Sequence, residues 1–163
     1  MKRKIILLFA LSLILTASTV FAQQETDNFL GKWKLAETGN KWLEKYGVES
    51  MTINVSEENG KLIIERSGKS SIYKSLSPSS TEVYNINEDT EISFPDARYS
   101  VGVQYRRLRI LNANKLQFLT KIKPADLGET LTRATWILSE DGKTLTVKQE
   151  GMYGTNKIVF TKQ

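Results

Sequence analysis

The feature that most constrains this chain is its alternation. Along most of its length, apolar side chains recur at every second position in short runs, and the runs are separated by turn signals. Met51, Ile53 and Val55 alternate with Thr52 and Asn54. Leu116, Phe118 and Thr120 share one face, as do Ala134, Trp136 and Leu138. Leu145 with Val147, and Ile158 with Phe160, complete the series. A period of two sends successive side chains to opposite faces, so each run is a half-buried β-strand. Between runs stand Glu58-Asn59-Gly60 and Ser139-Glu140-Asp141-Gly142, whose residues tolerate the positive φ of tight hairpins. About ten strands of ordinary length result, and the pattern fits an all-β barrel or sandwich.

The N-terminus follows a different logic. Lys2, Arg3 and Lys4 precede the apolar run Ile5–Leu15, and Thr19-Val20-Phe21-Ala22 offers a small-residue cleavage site before Gln23. This is the pattern of a secretory signal, with residues 1–22 removed, 23–28 left as a short leader and 29–163 forming one domain. A periplasmic or secreted location, with no membrane anchor, is the expectation. The chain has no Cys, so it carries no disulfide and must be stable from its core alone. Removal of residues 1–22 also changes the charge. Of 23 basic side chains three lie in residues 2–4, leaving 20 against 18 acids, a net of +2. So small a balance gives no support for nucleic acid or an anionic membrane as a partner. A monomer is expected.

One segment breaks the alternation. Asn40-Lys41-Trp42-Leu43-Glu44-Lys45-Tyr46-Gly47 reads as a short helix between the first two strands, with Asn40 as N-cap and Gly47 as the left-handed terminator. Trp42 and Tyr46 lie four apart on one face. So short a helix is unstable alone, and must dock that face on the strands.

Phe29-Leu30-Gly31-Lys32-Trp33-Lys34-Leu35, followed by Asn40 and Leu43-Glu44-Lys45-Tyr46-Gly47-Val48, resembles the N-terminus of cellular fatty-acid-binding proteins. Trp136-Ile137-Leu138-Ser139-Glu140-Asp141-Gly142-Lys143-Thr144-Leu145-Thr146-Val147 resembles their penultimate hairpin, and both ends are similar to secreted bacterial lipocalin-like domains. The resemblance covers the two ends well and residues 66–115 poorly. It implies membership of the calycin superfamily and an antiparallel up-and-down β-barrel of about 8–10 strands with an internal ligand space. It also implies that Trp33 plugs the closed end and that the 40–47 helix lies across the mouth.

The departures from that family bear on function. Its members hold a carboxylate with an Arg-x-Tyr pair in the last strand; here Ile158 and Phe160 occupy those positions. A second internal arginine is replaced by Trp136 or Ile137. The candidate ligand residues are therefore Val103, Tyr105, Phe118, Trp136 and Phe160 on inward faces, with Trp42 and Tyr46 at the mouth. Tyr105-Arg106-Arg107-Leu108-Arg109-Ile110 leaves two readings open. Unbroken alternation from Val101, Val103 and Tyr105 turns Arg107 and Arg109 inward; a bulge after Tyr105 turns them outward and Leu108 and Ile110 inward. The bulge is the favoured reading. Arg133 shares parity with Leu131 and Ile137 and is read as outward. Were Arg107 or Arg133 inward, either would need an anion, because an unpaired buried charge costs several kcal/mol.

Catalysis has little to work with. There is no His, no Cys and no Gly-x-Ser-x-Gly elbow. The acidic cluster Glu88-Asp89-Thr90-Glu91 lacks the spacing of a calcium loop and reads as a solvated turn. No enzyme activity, metal or cofactor is expected. Two functions remain: a carrier enclosing one small apolar or amphipathic molecule, or a filled barrel acting through its outer surface as an interaction or inhibitor module. A carrier needs a cavity of about 300 Å³ or more.

Overall fold

The computed structural model describes residues 26–37, 40, 43, 47–71, 79–86, 88–94, 102–124, 128–151 and 154–163. The expected leader cleavage, Val101, and the mouth residues Trp42 and Tyr46 lie outside the described residues. Ten antiparallel strands form one sheet: β1 (Gly31–Leu35), β2 (Val48–Glu58), β3 (Lys61–Ser70), β4 (Ser80–Asn85), β5 (Asp89–Phe94), β6 (Gly102–Asn112), β7 (Lys115–Pro124), β8 (Thr130–Leu138), β9 (Thr144–Gly151) and β10 (Gly154–Lys162). Each pairs with its neighbours in sequence, except that β4 and β5 do not pair and β1 pairs with β10. The sheet thus curls into a nearly closed up-and-down barrel with its one gap between β4 and β5. A backbone bridge from Ile86 to Leu108 and a bond from the Asn85 N–H to Thr90 Oγ1 (3.3 Å) span the narrow end of that gap.

Turn chemistry sets the strand registers. Asn59 and Gly60 both take positive φ, 53° and 73°, and join β2 to β3 in a two-residue hairpin. In the β8–β9 turn, Asp141 Oδ1 accepts from Ser139 Oγ and the Lys143 N–H, which holds its carboxyl below the usual carboxylate range. Gly142 supplies φ 68° there. Both hairpins lie where the sequence places them. The acidic cluster differs: Asp89 and Glu91 open strand β5 rather than occupying a turn, and Asp89 pairs with Arg107 across the ladder.

One end of the barrel is plugged. A single 3₁₀ turn, Asp27–Phe29, precedes β1 and buries Phe29 completely. Trp33 is also fully buried and donates its indole N–H to the Phe29 carbonyl (2.9 Å), while Lys162 Nζ sits 5.1 Å from its ring centre. Leu62, Leu116, Trp136 and Leu145, fully buried around it, complete this dry end.

Of the expected 40–47 helix, Asn40, Leu43 and Gly47 are described. The Leu43 N–H bonds the Asn40 carbonyl (2.9 Å), Leu43 is buried, and Gly47 has φ 63°. Among the described residues, the side chain of Asn40 bonds outside the segment. Its carboxamide donates to the Ala36 and Val159 carbonyls (3.0 Å each) and accepts from the Val159 N–H (2.8 Å). It tethers the segment to β10 just beyond the end of β1, where the Val159 carbonyl also accepts from the Ala36 N–H (2.9 Å).

Candidate functional site

Inward positions follow from register. On β6, pairing with β7 runs without a shift from Gly102 to Ile110, and the irregularity comes only between Ile110 and Asn112. The bulge favoured after Tyr105 is absent. Leu108 is buried and Ile110 packs against the core, so the same parity carries Gln104 and Arg106 inward. Val103 and Tyr105 consequently face outward, against the expectation, and Tyr105 is 37% exposed. The physical reason is that the core-forming Leu108 and Ile110 fix the face of the whole strand. Arg107 is outward as well, paired with Asp89, and Arg133 pairs with Glu150 across β8 and β9 at 3.2 Å.

Phe118 and Phe160 do line the interior. They belong to a cavity of about 330 Å³ in the half of the barrel away from the plug. Met51, Ile53, Ala134, Val147 and Ile158 make its apolar surface together with these two rings. Trp136 lies deeper, beneath Phe118, with ring centres 4.8 Å apart, and is not part of the cavity wall. Among the described residues its indole N–H is the one buried side-chain polar group without a partner.

The opposite wall is polar, and sequence reasoning missed its main members. Arg66 on β3 forms an ion pair with Glu82 on β4; both side chains are about three-quarters buried. Glu82 Oε2 also accepts from the Tyr84 hydroxyl at 3.0 Å. Tyr84 is 3% exposed and its ring meets Phe118 edge-on at 4.8 Å. Burial and the adjacent Glu82 carboxylate push its phenol up to about 12, against a smaller opposing pull from Thr120 and Arg66. The phenol therefore stays a proton donor at any physiological pH. Ser80 beside them on β4, and Thr120, Thr132 and Gln149 on β7, β8 and β9, add hydroxyl and amide groups to the lining.

Arg106 closes the set. Its guanidinium carbon stands 5.8 Å from the Tyr84 ring centre, and its Nε donates to Gln104 Oε1 at 3.1 Å. This contact reaches from β6 to β4 and bridges the gap from inside. A signal for these residues was present in the sequence. Leu62 and Ile64 point to Arg66 by alternation, Tyr84 points to Glu82, and Leu108 points to Arg106.

Chemically, the arrangement is an apolar pocket with one self-neutralised polar wall. Arg66 and Glu82 cancel each other, and Glu82 has both oxygens engaged. The wall offers donors and acceptors to a polar group; the inward Arg106, held by Gln104 and the Tyr84 ring and in no ion pair among the described residues, stands outside the lining of this cavity. Among the described residues no group of acidic side chains is placed to hold a metal ion.

No family model matches the chain, and no curated protein matches it. Solved structures do. The fluorescent protein UnaG is similar with a TM-score of 0.56 at 14% identity, covering 85% of this chain and 99% of that one. A Schistosoma mansoni fatty acid binding protein in complex with arachidonic acid gives 0.55 at 16% identity, covering 85% and 98%. A secretory abundant heat soluble protein from Ramazzottius varieornatus gives 0.56 at 12%, covering 83% and 96%. At these identities the likeness shows the fold alone, an antiparallel up-and-down β-barrel shared with these proteins.

Proposed function

We propose that this chain is a binding protein that encloses one small apolar or weakly polar molecule in the barrel, working in the periplasm or outside the cell after loss of residues 1–22. The observation that carries the reading is the cavity of about 330 Å³, whose lining mixes apolar side chains with hydrogen-bonding ones, within the usual size range of small-molecule sites. Fatty acid binding and lipid binding in the names of similar barrels support the same broad class. The lining argues for a neutral ligand over a free fatty acid. A carboxylate entering here would meet Glu82 at the polar wall and side chains without charge at Ile158 and Phe160. Tyr84 and the threonines can orient a hydroxyl, carbonyl or amide without a buried ion pair.

Native mass spectrometry of protein recovered from its natural source tests this directly. A bound neutral lipid-like or polar-headed apolar molecule, displaced little by salt, is the expected result. Tight palmitate binding that Arg66→Met abolishes would show that Arg66 leaves Glu82 for the ligand, and would overturn the neutral-ligand assignment. An empty protein that ignores every apolar probe would favour the filled-barrel interaction module.

A further inference from the structure

The near-neutral balance of residues 23–163 hides a segregation of charge. Strands β6, β7 and β8 carry seven cations (Arg106, Arg107, Arg109, Lys115, Lys121, Lys123 and Arg133) and not one acid. Strands β2, β3 and β4, across the barrel, carry five acids and three cations. Six of the seven cations of the first wall have outward parity, Arg106 being the exception. Acids reach them only from neighbouring segments: Asp89 to Arg107, Glu129 to Lys121 and Glu150 to Arg133. Arg109, Lys115 and Lys123 form no ion pair among the described residues.

The same wall holds every large hydrophobic residue that is exposed among the described residues: Tyr105 (37%), Leu111 (46%) and Leu131 (54%). Register interleaves the two kinds of side chain. Tyr105, Lys121 and Leu131 lie in one row across three strands, and Arg107, Leu119 and Arg133 lie in the next. Rows are two residues apart and strands about 4.8 Å apart, so cation and apolar group alternate in both directions. Lys121 Nζ stands 6.0 Å from the Tyr105 ring centre, and a groove of about 310 Å³ runs between Tyr105, Arg107, Leu119, Lys121 and Leu131, with Asp89, the partner of Arg107, at its edge on β5.

We infer that this outer wall docks the barrel, reversibly, on an anionic lipid surface. Charge complementarity calls for a negative partner, and the interleaving decides its kind. A protein interface gathers apolar groups in a core depleted of charge and leaves the charges to the rim; here no such core exists. At a bilayer surface, alternation is an advantage. Tyr and Leu enter the boundary between headgroups and acyl chains, while the flexible stems of Lys and Arg lie alongside and deliver their charges to phosphates. The wall is distinct from the cavity, so docking stands whether or not the barrel holds a ligand.

Vesicle flotation of the full chain, with every variant in the same background, tests the assignment. The probes are vesicles of phosphatidylcholine alone and of phosphatidylcholine with about one-third phosphatidylglycerol; each basic residue near such a surface contributes about 1 kcal/mol, several-fold in partitioning. The wild-type chain should partition at least about tenfold better onto the anionic vesicles, and lose that preference in about 0.5 M salt as charges are screened. Arg109→Glu with Lys123→Glu should remove about tenfold or more of the anionic preference. Tyr105→Ser with Leu131→Ser should weaken binding to anionic vesicles while keeping its salt dependence. Lys61→Glu with Lys69→Glu, on the opposite wall, should change it less than about twofold, being outside screening distance of the contact. Equal partitioning of the wild-type chain onto both vesicles overturns the proposal, as does an equal loss from the β3 pair. A Tyr105/Leu131 variant that binds unchanged, or a chain that ignores vesicles yet binds soluble polyglutamate, replaces the lipid surface with an acidic macromolecule.

Discussion

The same strands build two different interiors along their length. At the plugged end, β3 contributes Leu62 and Ile64, β7 Leu116, β8 Trp136 and Leu138, and β9 Leu145, all buried. One or two inward positions further on, those strands present Arg66, Thr120, Thr132 and Gln149 to the cavity. The backbone geometry does not change between the two halves, so stability and binding are separated by side-chain choice alone. The plugged half supplies close packing, in which each deleted group leaves a void. The open half spends some of its burial on polar groups, which it can keep only because they satisfy one another.

This contrast can be broken from either side. The largest effect belongs to the plug: Trp33→Ala should lower stability by about 3–5 kcal/mol, the range for deleting a fully buried Trp side chain, read as a fall in the urea midpoint. An unchanged midpoint would mean that the Phe29–Trp33 lock is not what holds the end shut. Next comes Tyr84, whose proton is held more tightly in the folded state than in the unfolded chain, with a value near 12 against an ordinary 10. The associated stability is fully present below pH 10 and is lost as pH rises through 12. Two units correspond to about 2–3 kcal/mol. Alkaline denaturation curves should show this loss in the wild-type chain and not in Tyr84→Phe.

The polar wall gives a smaller and more diagnostic effect. Arg66→Met or Glu82→Leu alone leaves a partly buried charge without its partner, at about 1–3 kcal/mol. The double variant should recover most of that loss, because nothing charged is then left behind. Strict additivity in chemical denaturation would show that the two side chains do not act as a unit. The smallest effect lies in the plugged half. Trp136→Phe removes a buried N–H that has no partner among the described residues, so lost volume and relieved desolvation offset each other. A shift within about 1 kcal/mol is expected; a loss of several would mean that the indole N–H has found a bound water or a ligand atom.

How far the sequence could be read differs between the halves for the same reason. Strand alternation, the Asn59-Gly60 and Asp141-Gly142 turns and the buried Trp33 are local or periodic signals, and each survives without knowing what lies across the barrel. The site is a set of diagonal contacts between strands. Arg66 and Glu82 meet because Ile64 pairs with Glu82 and Arg66 with Ser80, a register that no single run reveals. On β6 the difficulty was a choice between two apolar parities. Val103 and Tyr105 argued for one face, Leu108 and Ile110 for the other, and a bulge was invoked to keep both inside. The strand instead keeps one register and leaves Tyr105 in solvent, where it joins the basic wall. Asn40 has a good capping side chain by type, but the backbone N–H and carbonyl of Val159, far along the sequence, engage its carboxamide.

The pairing of β1 with β10 carries a consequence for the order in which the molecule can be completed. Trp33 faces Lys162, Leu35 faces Phe160, and the terminal Gln163 N–H bonds the Lys32 carbonyl. β10 therefore joins the first four strands to β5–β9 through residues far apart in the sequence, the pairing with the greatest loop entropy to overcome. During N-to-C synthesis, β1–β4 and β5–β9 can form two separate meanders, which pair into one sheet only when the last strand arrives. Loss of the last strand by truncation or premature termination would leave β1 and β9 as open edges, each a template for pairing with another molecule. The last strand thus covers the two edges of β1 and β9, in addition to contributing the buried Ile158 and Phe160.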